Sequence, residues 1–285
     1  MKIARFWKNS TLKTNHPDGR PIEVIAWGWS ADDPAEAQHQ ADERSQRSAK
    51  RIISGGPFPD TYDTYGDRPA REEILREIKN DEGETIAMLT RNRYGAVVLN
   101  TADLMFIDID VPTPRSLGII GAIKSLFGNK PEDPFVVAQK RIAAVANDRP
   151  QYTIRLYRTF AGFRCAVVNQ RIKPGTGESD ALLSAFGSDP LYVRLCRNQE
   201  SFRARLTPKY WRCGYEAPRS RFPFSSDVER QLSGRWERGY EKASIKYSTC
   251  LFVDQFGTDR AIGEFRDLIE LHDRETRAES DLPLA

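Results

Sequence analysis

The run LMFIDIDV, from Leu104 to Val111, constrains the fold of this chain more than any other segment. It is dense in apolar side chains, and Pro112 and Pro114 follow it closely. An apolar run of this length that is bounded by prolines is typical of a buried β-strand. We therefore expect a sheet in which this segment is a well-buried strand.

Two carboxylates interrupt the run. Because side chains alternate along a strand, Asp108 and Asp110 should point to one face of the sheet, and Ile107 and Ile109 to the other. Two like charges on a dry strand cost free energy unless a cation neutralises them, and Mg²⁺ or Mn²⁺ prefers carboxylate oxygen. Asp108 and Asp110 are thus candidate metal ligands and catalytic residues. The alternative is a solvent-facing pair of ordinary aspartates, paired with arginines.

The remaining strand-like segments come in adjacent pairs, which predicts hairpins. Strands and helices do not alternate strictly, so the expected fold class is α+β, a largely antiparallel sheet backed by helices. We expect a single domain over 1–285. Within it, we expect 1–83 to form an N-terminal helical and loop subregion and 84–257 to form the catalytic core.

Some local predictions concern the edges of this core. The spacing of Ile74, Leu75 and Ile78 predicts a short helix over 70–79. Glycines, prolines and aspartates predict a loop over 55–68, and 116–130 reads as an insertion. The last residues, 279–285, are expected to be frayed.

Composition narrows the class of protein. Hydrophobic residues make up 39% of the chain and charged residues 29%, which is ordinary for a globular protein with a sizeable core. No apolar run approaches the roughly 18 residues of a membrane helix, and the start lacks a secretory signal, so a cytoplasmic location and no membrane partner are expected. The cysteines are widely spaced without a C-x-x-C pair, which predicts free thiols in a reducing compartment: Cys165, Cys196, Cys213 and Cys250.

A second candidate site lies in LYRTFAGFRCAVV, where two arginines flank a turn. Arg158 and Arg164 could hold phosphate oxygens, Thr159 adds a hydroxyl, and Gly162 permits close approach of the backbone. Alternatively, these arginines cap the sheet or pair with the aspartates.

Asp254 ends another apolar run, CLFVDQFG. A third carboxylate beside Asp108 and Asp110 would complete a metal and catalytic site. A single aspartate at the end of a strand is also a common turn residue, so both readings stay open.

Positive charge is concentrated between Arg194 and Lys246, a segment that contains thirteen Lys and Arg but only six Asp and Glu. Aromatic residues are interleaved with these charges. A basic surface attracts phosphate and aromatic rings stack on bases, whereas the alternative is a solvated face whose aromatics belong to the core. The candidate nucleic-acid-binding residues are Arg203, Arg205, Lys209, Trp211 and Arg212.

The order of these motifs resembles that of the archaeo-eukaryotic primase (primase-polymerase) superfamily, which has a D-x-D motif, then a hairpin motif, then a single aspartate. The resemblance implies that Asp108 and Asp110 match the first motif, that YRTFAGFRCAVV lies at the second, and that Asp254 matches the third. The family's second motif supplies a histidine, and Phe163 and Arg164 occupy that place here.

Three functions follow as hypotheses. The first is metal-dependent nucleotidyl or phosphoryl transfer on nucleic acid, with Mg²⁺ or Mn²⁺ as cofactor and nucleoside triphosphates and nucleic acid as partners. The second is a non-catalytic nucleic-acid-binding protein that retains the fold. The third is a protein-interaction module, because the net charge is only +3. The oligomeric state is not determined by these patterns.

Overall fold

The computed structural model describes residues 1–55, 69–112, 132–258 and 260–285. Most of the predicted loop 55–68 and the whole insertion 116–130 lie outside these residues. Within them, neighbouring strands of every sheet run antiparallel and helices accompany the sheets, which confirms the expected α+β class.

The strands are β1 (Phe6–Asn15), β2 (Pro21–Ser30), β3 (Glu73–Lys79), β4 (Thr85–Arg91), β5 (Val97–Thr101), β6 (Met105–Asp110), β7 (Ile154–Thr159), β8 (Gly162–Val167), β9 (Phe202–Arg205) and β10 (Cys250–Phe256). The helices are α1 (Pro34–Ile53), α2 (Pro134–Asn147), α3 (Gly177–Phe186), α4 (Pro190–Gln199), α5 (Asp227–Ser244) and α6 (Gly263–Thr276).

The predicted acidic strand is β6, and it forms one edge of a four-stranded sheet with the order β10-β7-β8-β6. We call this the carboxylate sheet. Its register pairs Asp108 with Arg164, and Arg164 with Tyr157 on the next strand. Directly paired residues share a face of the sheet, so these three side chains project to the same side.

A second four-stranded sheet has the order β3-β4-β5-β9. Its edge strand β3 occupies the segment predicted to be a helix, so that prediction was wrong. The pairing with β4 skips Leu75, between Ile74 and Arg76. Such a bulge breaks the strict alternation that identifies a strand and leaves apolar residues at spacings that resemble a helix.

The N-terminal subregion contains more strand than expected. Strands β1 and β2 form a two-stranded hairpin, and α1 packs across it. Small side chains allow the close approach: Ala37 and Ala41 are fully buried on α1, and a Cβ on Gly28 would lie only 2.0 Å from the Ala37 carbonyl oxygen. The described residues of this region, 1–55 and 69–83, contain a hairpin, a helix and the strand β3.

The last helix closes the core of the carboxylate sheet. α6 buries an apolar face that includes Phe265, Leu268 and Leu271. The residues after it are held in place, because Ala285 donates its backbone N–H to Ser248 at 3.0 Å. The prediction of a frayed tail was therefore wrong.

The described part of the chain contains no helix that is both long and apolar enough to cross a membrane. All four cysteine thiols are free and buried, as the sequence predicted.

Candidate functional site

The two carboxylates of the D-x-D motif lie at the end of β6, on one face of the carboxylate sheet. The Asp108 side chain is 40% exposed, and Asp110 is exposed. Partial burial, together with the negative charges of Asp108 and Asp189, raises the pKa of Asp110 above its ordinary value. Part of this shift comes from neighbouring negative charge, which a bound cation would compensate.

The loop before α4 fixes the backbone of β6 at this point. The Asp108 carbonyl oxygen accepts hydrogen bonds from the Ser188 hydroxyl at 2.8 Å and from the Asp189 backbone N–H at 3.3 Å. Asp189 caps α4, where its carboxylate accepts the Tyr192 backbone N–H at 3.0 Å. Asp189 thus adds negative charge beside the pair while its own side chain is engaged in capping.

Arg164 lies across the strand pair from Asp108 and is only 3% exposed. Its Nη2 is 3.9 Å from Asp108 Oδ1, while Nη1 donates to the Arg205 carbonyl oxygen at 3.0 Å. The structure therefore brings the second predicted motif to the first. Of the two sequence interpretations for Arg164, the long ion pair agrees with pairing to the aspartates.

Three further cations approach the pair from β9 and the 3₁₀ turn at Tyr210–Cys213. Burial lowers the pKa of Arg205 to about 10 and the pKa of Lys209 to about 8, and it also lowers the pKa of Arg212. The charges of Asp108 and Asp110 oppose this effect on Lys209 and Arg212. The cations are thus concentrated around the carboxylates at some electrostatic cost, which an anionic ligand would relieve.

Two predicted phosphate ligands are engaged within the hairpin itself. Arg158 pairs in register with Phe163, which in turn pairs with Ile109, so Arg158 shares the opposite face of the sheet. Its guanidinium lies 3.5 Å above the Phe135 ring and donates to the Gly162 carbonyl oxygen at 2.8 Å. Thr159 accepts the Gly162 backbone N–H at 3.1 Å within the turn. Both side chains therefore stabilise the hairpin.

Asp254 and Arg203 are also separated from the pair. Asp254 lies on β10, and β7 and β8 stand between it and β6, a span of roughly 14 Å at ordinary strand spacing. The expected cage of three carboxylates is therefore not formed. The Arg203 side chain is 12% exposed and forms an ion pair with Glu72, so its charge is already compensated.

His272 is a site neighbour that the sequence analysis did not identify. It is fully buried on α6, and its Nε2 lies 3.2 Å from Arg164 Nη1. Its Nδ1 contacts Asp273 Oδ1 at 2.8 Å, and Asp273 in turn accepts from Arg155 at 2.8 Å. The contact with Arg164 spans 108 positions, and the only local signal was a histidine followed by an aspartate on an amphipathic helix.

The donor set fits a particular kind of metal site. Among the described residues, no three His, Cys, Asp or Glu side chains converge in a way that could hold a metal ion. Mg²⁺ often takes only one or two carboxylates from the protein and completes its shell with water and substrate phosphate. Asp108 and Asp110, which share one face of β6, fit that pattern.

The site thus combines two adjacent carboxylates with four cationic side chains, which suits a phosphate ligand and a divalent ion. Comparison with protein-family models, with curated proteins and with solved structures finds no match for this chain.

Proposed function

We propose that this chain is a metal-dependent enzyme that transfers nucleotidyl or phosphoryl groups on nucleic acid, as its resemblance to the primase-polymerase superfamily implies. The observation that supports the proposal is the position of Asp108 and Asp110 on one face of β6, among Arg164, Lys209 and Arg212. Nucleoside triphosphates and nucleic acid are the proposed partners, and the four free thiols suit a reducing cytoplasm.

Each group has a role in this proposal. Asp108 and Asp110 would hold Mg²⁺ or Mn²⁺, which supplies charge stabilisation for the attacking and leaving oxygens of a phosphoryl transfer. Arg164, Lys209 and Arg212 bind and orient phosphate oxygens, because guanidinium and ammonium groups compensate their charge. The buried position of Arg164 fixes its direction, which is the preorganisation that electrostatic catalysis needs.

A non-catalytic nucleic-acid-binding protein is the second candidate. It is favoured by the surplus of positive charge at the site, where Arg164, Arg205, Lys209 and Arg212 outnumber the two carboxylates of β6. Such a surplus supports salt-dependent binding of phosphate without turnover.

Activity measurements on single variants test the first proposal. The purified chain is incubated with Mn²⁺ or Mg²⁺, labelled nucleoside triphosphates and single-stranded DNA. We expect metal-dependent product, reduced at least about 100-fold in Asp108→Asn and in Asp110→Asn, because each loses a proposed metal ligand.

Two matched aspartates serve as controls. Asp103 precedes β6 and lies 3.5 Å from Arg171, and Asp254 lies on the far edge strand. Asp103→Asn and Asp254→Asn are expected to keep product formation within about twofold of the unmodified chain, since such surface substitutions are usually mild. Salt-dependent binding without product in the unmodified chain would replace the first proposal by the second. Equal activity in Asp108→Asn and Asp103→Asn would contradict the role of the D-x-D pair.

A further inference from the structure

Two exposed aromatic side chains from separate turns lie against cations of the candidate site, and a half-buried tyrosine packs on one of them. Phe160, in the β7–β8 turn, is 51% exposed, and Trp211, in the 3₁₀ turn, is 46% exposed. Tyr94, in the β4–β5 turn, contacts Trp211 edge to face with ring centroids 5.3 Å apart. We call Phe160, Trp211 and Tyr94 the aromatic platform. Large aromatic rings usually bury most of their surface, so exposed rings from separate turns indicate a surface that meets a ligand.

Two cations of the site lie against this platform. The Arg212 guanidinium carbon lies 4.2 Å from the centre of the Phe160 ring, and Lys209 Nζ lies 5.2 Å from the Trp211 ring. The same two side chains interact electrostatically with Asp108 and Asp110. The platform is therefore continuous with the candidate site.

The β7–β8 turn is held against β6, which fixes the position of Phe160. The Val111 backbone N–H donates to the Ala161 carbonyl oxygen at 2.9 Å, and Asp110 pairs with Gly162 in register. These backbone contacts hold the turn that contains Phe160 next to Asp110. The turn that carries Phe160 therefore lies beside the end of β6.

Alternating rings and cations match one class of ligand. Bases stack on aromatic faces, and phosphates pair with lysine and arginine, so a chain that offers both at short intervals is a nucleic-acid strand. In a duplex, the faces of the bases are covered by their neighbours, whereas an unpaired strand can present them to protein rings. The chemistry of the platform therefore favours single-stranded nucleic acid.

We propose that the aromatic platform binds unpaired bases of a single strand and leads that strand to Asp110. The direction toward Asp110 rests on the proposed function, whereas the stacking of bases can be measured without it.

Binding of base-containing and abasic strands tests the platform. The full chain is titrated into a fluorescein-labelled twelve-nucleotide oligo(dT), or into an abasic strand of the same length, at low salt with EDTA, and anisotropy is recorded. We expect oligo(dT) to bind about tenfold more tightly than the abasic strand, because stacking adds to the phosphate contacts. Phe160→Ala and Trp211→Ala should each remove most of that difference and leave the abasic affinity unchanged.

Phe252→Ala is the matched control, since Phe252 is an exposed aromatic residue on the far edge strand. It should keep the preference for oligo(dT). Equal affinity of the unmodified chain for both strands, or an undiminished preference in Phe160→Ala and Trp211→Ala, would overturn the platform.

The two proposals fail separately. Asp108→Asn is expected to keep the base-dependent binding, because the platform does not include a carboxylate. Product formation without any base preference would contradict the proposed role of the aromatic platform and leave the enzyme proposal in place. A base preference without product would support the platform and remove the enzyme proposal.

Discussion

Burial and the neighbouring Arg205 and Arg212 lower the pKa of Lys209 to about 8, while Asp110 and Asp108 oppose the change. At pH 8 roughly half of Lys209 is then neutral, against less than about 1% of an ordinary lysine amine. We expect brief acetylation at pH 8 to modify Lys209 faster than exposed Lys246, as measured by peptide mass spectrometry. Asp110→Asn should accelerate the reaction, because it removes a charge that holds the proton.

The lowered pKa of Lys209 also makes the stability of the folded chain depend on pH. The folded chain releases the Lys209 proton near pH 8 and an unfolded chain near its ordinary value of 10.5. The cost of the buried charge is therefore fully present below pH 8 and is relieved as the pH rises through 8 to 10.5. Equal acetylation of Lys209 and Lys246, with no response to Asp110→Asn, would contradict the desolvated environment.

At the residue scale, the sequence identified what depends on local pattern. Alternation along β6 placed Asp108 and Asp110 on one face, and the structure agrees. The sequence did not show that Arg158 and Arg164 lie on opposite faces of the sheet, because this depends on the register of β7 against β8. His272 depends on the docking of a helix far along the chain, which no local pattern encodes.

At the scale of elements, the β7–β8 hairpin depends on Gly162. A Cβ at this position would lie 1.9 Å from the Ile109 carbonyl oxygen and 3.0 Å from the Asp110 Cα. Backbone would have to move, so we expect Gly162→Ala to lower the free energy of unfolding by about 2–4 kcal/mol. Urea denaturation followed by circular dichroism measures the change.

Gly177 gives the matched control for that substitution. It begins α3, and a Cβ there would meet nothing within 4 Å. Gly177→Ala should be neutral or stabilise by up to about 1 kcal/mol, because alanine restricts the unfolded chain. Similar stabilities of Gly162→Ala and the unmodified chain would show that β6 and the turn are not in the close contact described.

Elements with strong local signals were predictable, whereas the bulged strand β3 and the short strand β9 were not. The starts of α2 and α4 follow from local signals, because Asp133 and Asp189 accept backbone N–H groups there. β3 was misread because of its bulge. β9, which has only four residues, is defined by pairing with β5 and has little pattern of its own.

At the scale of the whole molecule, the predicted core 84–257 omits α6. That helix buries Phe265, Leu268, Ile269 and Leu271, at about 1.5–3 kcal/mol for each side chain. The loss is comparable with the entire stability of a typical domain, about 5–15 kcal/mol. We expect the fragment 84–257 to show no cooperative thermal transition by calorimetry.

A fragment spanning 69–285 is the comparison. It retains both four-stranded sheets and α6, and it removes β1, β2 and α1, which pack mainly with one another. This fragment should unfold cooperatively. Cooperative unfolding of 84–257 would show that the carboxylate sheet does not need α6.

The contact between Arg164 and His272 joins segments that the ribosome synthesises at different times. A ribosome makes the chain from its N-terminus, so both carboxylates and every proposed cation have been added once residue 212 is in place. His272, which the last helix packs against Arg164, is added 60 positions later. A nascent chain therefore possesses its proposed ligands before it has the helix that covers Arg164, and the buried surroundings of that arginine are completed only with the last helix.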